Sequence, residues 1–244
     1  MQSLKDLVFT KRYRLLGHVF SIFEIAILLL VTYYVIFQRP DTIYQLIVLI
    51  FAVTVHEAAH AFAANRLGDP TAKALGRLSL NPLAHIDIMG SVILPGLLLL
   101  SGSGFLIGWA KQVPVQSQYF KRPLQDMMWV ALAGPISNII MAVIAAVVFR
   151  YAGGLSPSTG SFLVLAMAQY AIVINLVLAV FNMVPIPPLD GSRVLAFFLP
   201  ESARYSYYRL EQYGFFIVII LALTGVFSWI LQWTIPPMIN LLLG

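Results

Sequence analysis

His56, Glu57 and His60 stand together in FAVTVHEAAHAFAANRLGD, residues 51–69, inside a stretch apolar enough to cross a lipid bilayer. Ionisable side chains at membrane depth are costly and mark functional positions. Two histidines four residues apart project about 40° from each other on one face of an α-helix, so both imidazoles can reach a single metal ion. Glu57 flanks the same face, placed toward a water beside the metal and not toward the metal itself. HEAAH is thus the HExxH arrangement, two zinc ligands and a general base. The competing account is a pair of helix-packing histidines with a carboxylate facing a watery vestibule.

A catalytic zinc takes three protein ligands and leaves a fourth position to water. The chain has no cysteine, and its other histidines are His18 and His85. His18 precedes the first apolar run and reads as an interfacial anchor. The better candidate is Asp190, in FNMVPIPPLDGSRV, residues 181–194. Pro185, Pro187 and Pro188 remove backbone donors and stop the preceding helix, and Gly191 permits a sharp exit. Asp190 can also be read as the N-cap of a short cytoplasmic helix. Asn182, at the end of the same helix, is placed to hydrogen-bond substrate backbone or an oxyanion, or else to bridge two helices. The same alternatives hold for Asn138 in AGPISN.

These residues need a scaffold, and composition names its solvent. The chain is 60% hydrophobic and 10% charged over 244 residues, with mean hydropathy +0.87, where soluble domains carry roughly 25% charged residues. This predicts an all-α polytopic membrane protein forming one domain, 1–244. The net charge of +5 does not indicate nucleic acid, because the cations lie in short loops between apolar runs and act as topology signals. Apolar runs predict about five transmembrane helices, at about Val19–Phe37, Ile43–Leu67, Leu124–Phe149, Phe162–Val184 and Gly214–Leu231, the last broken at Pro236 and Pro237. The segment Ile88–Leu100, interrupted by Gly90, Pro95 and Gly96, has 13 residues against roughly 20 needed to cross. If it dips in and returns, only Arg39 and Arg150 of the 15 cations lie outside; if it spans, the cations divide almost evenly. The positive-inside rule favours the re-entrant form. It also puts the N-terminus in the cytoplasm and Asp190 on the membrane side of His56 and His60.

HEAAH in an early helix, with Asn182, Pro185 and LDG at 189–191 in a later one, resembles the site-2 protease family of intramembrane zinc metalloproteases. GDPTAKALGRLSLNPLAHID, GWAKQVPV and ALAGPISN resemble its compact bacterial and archaeal branch without PDZ or CBS domains. The resemblance covers about residues 43–195. It implies one zinc per chain, held by His56, His60 and Asp190, with Glu57 as catalytic base. It further implies a three-helix catalytic core made by the second, third and fourth helices. The expected setting is a bacterial or archaeal cytoplasmic membrane, with the site opening toward the cytoplasm. The expected partners are the lipid bilayer and transmembrane protein substrates. A substrate helix must be opened before it is cut, and residues 104–116, GFLIGWAKQVPVQ, can offer a strand edge to it. That makes Gly108 and the backbone donors of Lys111 and Val113 candidate substrate contacts, with 72–80 completing a small cytoplasmic sheet; an ordinary interfacial loop is the alternative. A metal transporter or channel, or an inactive membrane chaperone of the same fold, are the competing functions. Against transport, no repeated halves with paired broken helices are visible.

Overall fold

The structure, a computed structural model, describes residues 12–15, 18–21, 30, 33, 41–93, 108–154 and 158–244. Its contacts form two units, Met1–Ile43 with Ile86–Lys111, and Tyr44–His85 with Gln112–Gly244.

The first unit holds an antiparallel hairpin of β1, Arg12–Leu15, and β2, His18–Ser21, in register Arg12↔Ser21 to Leu15↔His18. The first helix was expected to start at Val19, and here the structure differs. RYRL and HVFS are rich in aromatic and branched residues and flank the two-residue link Leu16-Gly17, which favours a hairpin over a helix start. Leu30 and Tyr33 are helical; the rest of 22–37 lies outside the described residues. The same unit holds a π-helical turn, Ile88–Ile93. Gly90 N–H donates to Asp87 Oδ1 at 2.7 Å, and the N–H of Asp87 donates to Ser91 Oγ at 3.1 Å. Residues 94–107, which contain more than half of the re-entrant segment, lie outside the described residues, but the described residues before and after them meet. Trp109 N–H donates to Gly90 O at 3.0 Å, and Ser91 Oγ–H donates to Trp109 O at 2.8 Å. A chain that crossed the roughly 30 Å hydrocarbon layer between these points could not close this way without crossing back.

The second unit is built on helices. Helix α1, Asp41–Leu67, is followed by the short α2, Thr71–Ala74. Then come α3, Pro123–Gly153, and α4, Thr159–Asn182, and after them α5, Asp190–Phe198, and α6, Glu201–Tyr208. The last two are α7, Gly214–Leu223, and α8, Val226–Leu243. Among the described residues, four helices are long and apolar enough to span a membrane, within 42–67, 123–153, 160–182 and 226–243. Helix α3 is apolar around its circumference. Ala142, Ala145 and Ala146 face Ile172 and Leu176 of α4 and Ile235 of α8, while Ile136, Ile140, Val143, Ile144 and Val147 are exposed. Small residues inside and branched apolar residues outside are what helix packing within lipid requires. Ala64 of α1 meets Val130 of α3 and Phe120 in a second cluster.

Two further expectations are corrected. The final apolar region breaks at Thr224 and Gly225, not at Pro236 and Pro237. Gly225 takes φ 77°, a left-handed conformation glycine adopts at no steric cost, whereas α8 continues through both prolines. Nor do 72–80 and 108–116 pair as strands; 71–74 is helical, and among the described residues 108–116 has no strand partner. Two donors of the latter segment go to side-chain carboxylates instead. Val113 N–H donates to Glu57 Oε2 at 3.1 Å and Gln116 N–H to Asp69 Oδ2 at 2.7 Å. Residues 104–107 of the expected strand lie outside the described residues.

Asp69 is fully buried and also accepts the N–H of Thr71 at 2.9 Å. Burial alone would raise its pKa, but the N–H groups of Gln116 and Thr71 outweigh that and hold it below the usual carboxylate value. A depressed folded pKa stabilises above the unfolded value and loses that contribution as pH falls through the folded one. Asp69→Asn should therefore cost on the order of 1–3 kcal/mol at neutral pH, the scale of hydrogen bonds to a charged group. In thermal melts the gap from the parent should narrow below about pH 4. A gap independent of pH would mean that the charge is not what holds this turn.

Candidate metal centre

His56 and His60 lie one turn apart on α1 and are both buried. Each ring has its Nδ1 committed. His60 Nδ1 is 2.7 Å from Val130 O, and His56 Nδ1 is 2.6 Å from Asn138 Oδ1. Oxygens of this kind only accept, so each Nδ1 carries a proton, and in the neutral imidazole each Nε2 then carries a lone pair. The two Nε2 atoms nonetheless stand 3.0 Å apart. Asp190 Oδ2 lies 3.2 Å from one and 3.4 Å from the other, buried and with no hydrogen-bond partner. With both imidazoles neutral, three electron-pair donors converge. Such an arrangement calls for a cation, and two imidazoles with one carboxylate are the N/O donor set that zinc accepts. Three ligands also leave a coordination position open, so the residues present fit a catalytic zinc.

Asp190 reaches this place by a turn the sequence compels. Helix α4 ends at Asn182, Pro185, Pro187 and Pro188 follow, and Asp190 is the first residue of α5. It is therefore both an acidic residue in a helix's first turn, as the capping alternative had it, and a member of the donor cluster. Gly191 lets the chain turn tightly, because a Cβ there would collide with the Met183 carbonyl. Gly134 of α3 matters in the same way. A Cβ on it would press into the Nε2 atoms of both His60 and His56, so only glycine leaves the space between the imidazoles free.

Glu57 is buried and stands outside the cluster of donors, its carboxylate turned to the N–H of Val113. The other expected residues are placed as follows. Asn138 is fully buried behind His56. Asn182 donates its Nδ2 to Leu178 O of its own helix at 3.0 Å. Gly108 and Lys111 are exposed, in the unit that does not contain the histidines. His85 bonds through Nε2 to Ser79 O at 2.8 Å. Sequence reasoning missed Gly134 and Asn175. A signal for Asn175 existed: it is an amide inside the apolar run AIVINLVLAV, residues 171–180, where a polar group is costly unless satisfied. For Gly134 the only hint was its place before Pro135.

Comparison with known proteins bears on the same region. The model of "Peptidase family M50" matches residues 157–225, which contain Asp190. The chain is 39% identical over 206 residues to the Bacillus subtilis (strain 168) protein named "Putative zinc metalloprotease YwhC", covering 81% of this chain and 86% of that one. It is 33% identical over 177 residues to "Putative zinc metalloprotease Rip2" of Mycolicibacterium smegmatis, 72% of this chain and 64% of the relative. To the Mycobacterium tuberculosis (strain ATCC 25618 / H37Rv) protein of the same name it is 30% identical over 186 residues, 75% of this chain and 69% of the relative. No solved structure matches the chain.

Gly134→Ala should reduce zinc occupancy of the purified protein at least as much as His60→Ala does, since the added methyl enters the space between the nitrogens. Metal content and melting temperature should be measured together. An unchanged metal content in a folded Gly134→Ala protein would show that the helices can separate to admit the methyl, and that the cradle is not as tight as described.

Proposed function

Since the chain belongs to peptidase family M50, the site-2 protease family, we propose that it is a zinc metalloendopeptidase that hydrolyses peptide bonds within or near transmembrane segments of other membrane proteins. The observation that carries this reading is the convergence of His56, His60 and Asp190 beside Glu57, on a helix long enough to span the bilayer. Held by those three side chains, zinc would supply Lewis acidity, making water nucleophilic near neutral pH and polarising a scissile carbonyl.

The chain's own residues do the rest. Glu57 accepts a proton from the attacking water and returns it to the leaving amine. The N–H of Val113, 3.1 Å from Glu57 Oε2, aims one carboxylate oxygen and leaves the other for the proton. Because Val113 spends its donor on Glu57, an unwound substrate must pair with other backbone groups. For contacts at Gly108 and Lys111 the reading rests on the sequence alone. Asn182 is positioned at the end of α4, before the proline-broken stretch, and we assign its amide to substrate: its side-chain oxygen accepts a backbone N–H of the substrate, or the Nδ2 hydrogen not used by Leu178 O donates to the developing oxyanion. Asn138 acts behind His56 and not on substrate. The histidines lie roughly 10–16 Å along α1 from its Leu67 end at 1.5 Å per residue, so the scissile bond is met at membrane depth. The cation distribution and the meeting of Gly90 with Trp109 support a cytoplasmic N-terminus and a site open to the cytoplasm. A transit site for metal has no use for a buried carboxylate held off the ligands, which disfavours transport.

Two experiments test this. In co-expression with candidate single-pass membrane proteins, the parent should cut at least one within or beside its transmembrane segment. Glu57→Gln should bind zinc fully and leave that substrate intact; cleavage retained by Glu57→Gln would remove Glu57 as the base. For topology, the absence of native cysteine makes a Ser117→Cys probe clean. It should label from the cytoplasmic face, and labelling from the opposite face would overturn the assigned orientation.

A further inference from the structure

His56 can serve as a metal ligand through Nε2 only if its proton sits on Nδ1, and Nδ1 faces a side-chain amide. An amide has two different ends. Turned over, Asn138 would present Nδ2–H to the ring, Nδ1 would have to accept, and the proton would move to Nε2, removing the lone pair a metal needs. The orientation of Asn138 therefore decides whether His56 can ligate. His60 has no such ambiguity, because its Nδ1 meets the backbone oxygen of Val130 directly.

What orients Asn138 lies one helix further away. Asn138 Nδ2 is 2.8 Å from Asn175 Oδ1 on α4, and Asn175 Nδ2 is 2.9 Å from the carbonyl of Ala171. A backbone carbonyl can only accept, so the Asn175 atom beside it is the nitrogen. Its oxygen then faces Asn138, so the Asn138 atom it meets is a donor, and Asn138 Oδ1 is left for His56. The carbonyl of Ala52, 3.4 Å from Asn138 Nδ2, imposes the same sense. Both amides are essentially unexposed, at 0% and 1%, so the polarity is set within the protein. We propose that Asn175 is a positioning residue for the metal centre: through Asn138 it carries the polarity of the Ala171 carbonyl to His56 and holds that ring in the metal-binding tautomer.

The inference rests on the metal reading of the centre, and its test separates the two. Zinc affinity of the full-length protein in detergent is measured by chelator competition for the parent, Asn175→Leu, Asn138→Asp and the double variant. Loss of a partner that orients a ligand typically costs 10–100-fold in metal affinity. Ala52 still favours the correct sense, so Asn175→Leu should fall by about 10-fold. Asn138→Asp presents an oxygen to His56 whichever way it turns, and its own affinity, whatever its shift from the parent's, is the reference for the second background. In that background there is no orientation left to set, and adding Asn175→Leu should cost nothing further. A purely structural role for Asn175 would lower affinity equally in both backgrounds, and that result overturns the proposal, as does an unchanged affinity in Asn175→Leu. Should Asn175→Leu fail to fold, Asn175→Ala is read in the same two backgrounds; failure of both to fold makes the residue structural and also overturns it. A parent that binds no zinc would instead remove the metal reading itself.

Discussion

Two imidazole nitrogens that both carry lone pairs stand 3.0 Å apart in the interior of a membrane protein. In the neutral rings neither can donate to the other, because each keeps its proton on Nδ1 and donates it in a hydrogen bond to an oxygen on the far side. Both rings are buried, and in surroundings of low dielectric such a juxtaposition is unfavourable without a positive charge between the donors. The carboxylate of Asp190 adds to the deficit. Much of the second unit can be understood as the means of enforcing this arrangement, which becomes favourable when a divalent cation is bound.

Three helices share the enforcement. Helix α1 supplies both rings at one-turn spacing. Helix α3 supplies the Val130 carbonyl, the Asn138 amide and, at Gly134, the missing side chain that lets it come close. Helix α4 supplies Asn175 and, beyond its proline-broken end, Asp190. The close packing of α3 on α4 through Ala142, Ala145 and Ala146 brings Asn138 within hydrogen-bonding distance of Asn175, so packing of small apolar residues and polarity of the centre are linked. In lipid, where no hydrophobic force draws helices together, the buried amides also contribute to the association. A second set of carboxylates deals with the irregular backbone after residue 111. Asp69 and Glu57 each accept an N–H of this segment, and Glu57 is thereby tied to a fixed point in the backbone.

Much of this was legible beforehand. HEAAH carries its geometry within one helical turn, so the spacing of ligands and base follows from 3.6 residues per turn. Hydropathy marked α1, α3 and α4 within a few residues, because lipid demands long apolar runs whatever the tertiary contacts. The expectations that failed all concerned places where local preferences compete. At 19–21 the pattern suited both a helix start and a strand, and the adjoining hairpin partner decided it. At 236–237 prolines looked like a stop, yet Gly225 had the cheaper conformational route to a break. Segment 108–116 had the composition of a strand, but its donors at Val113 and Gln116 found carboxylates instead of another strand.

The sequence by itself determined the solvent and the pair of histidines with Glu57 beside them, since each of these depends on residue type and on spacing along one element, and it offered Asp190 as the candidate third donor. The sense in which each ring carries its proton, the need for glycine at 134 and the part of Asn175 were decided only by the tertiary structure. Their physical reason is the same in each case. A lone pair, a missing Cβ or an amide's orientation matters only against a partner 70 to 86 residues away for Val130 and Asn138, and no local pattern records which atom will stand opposite.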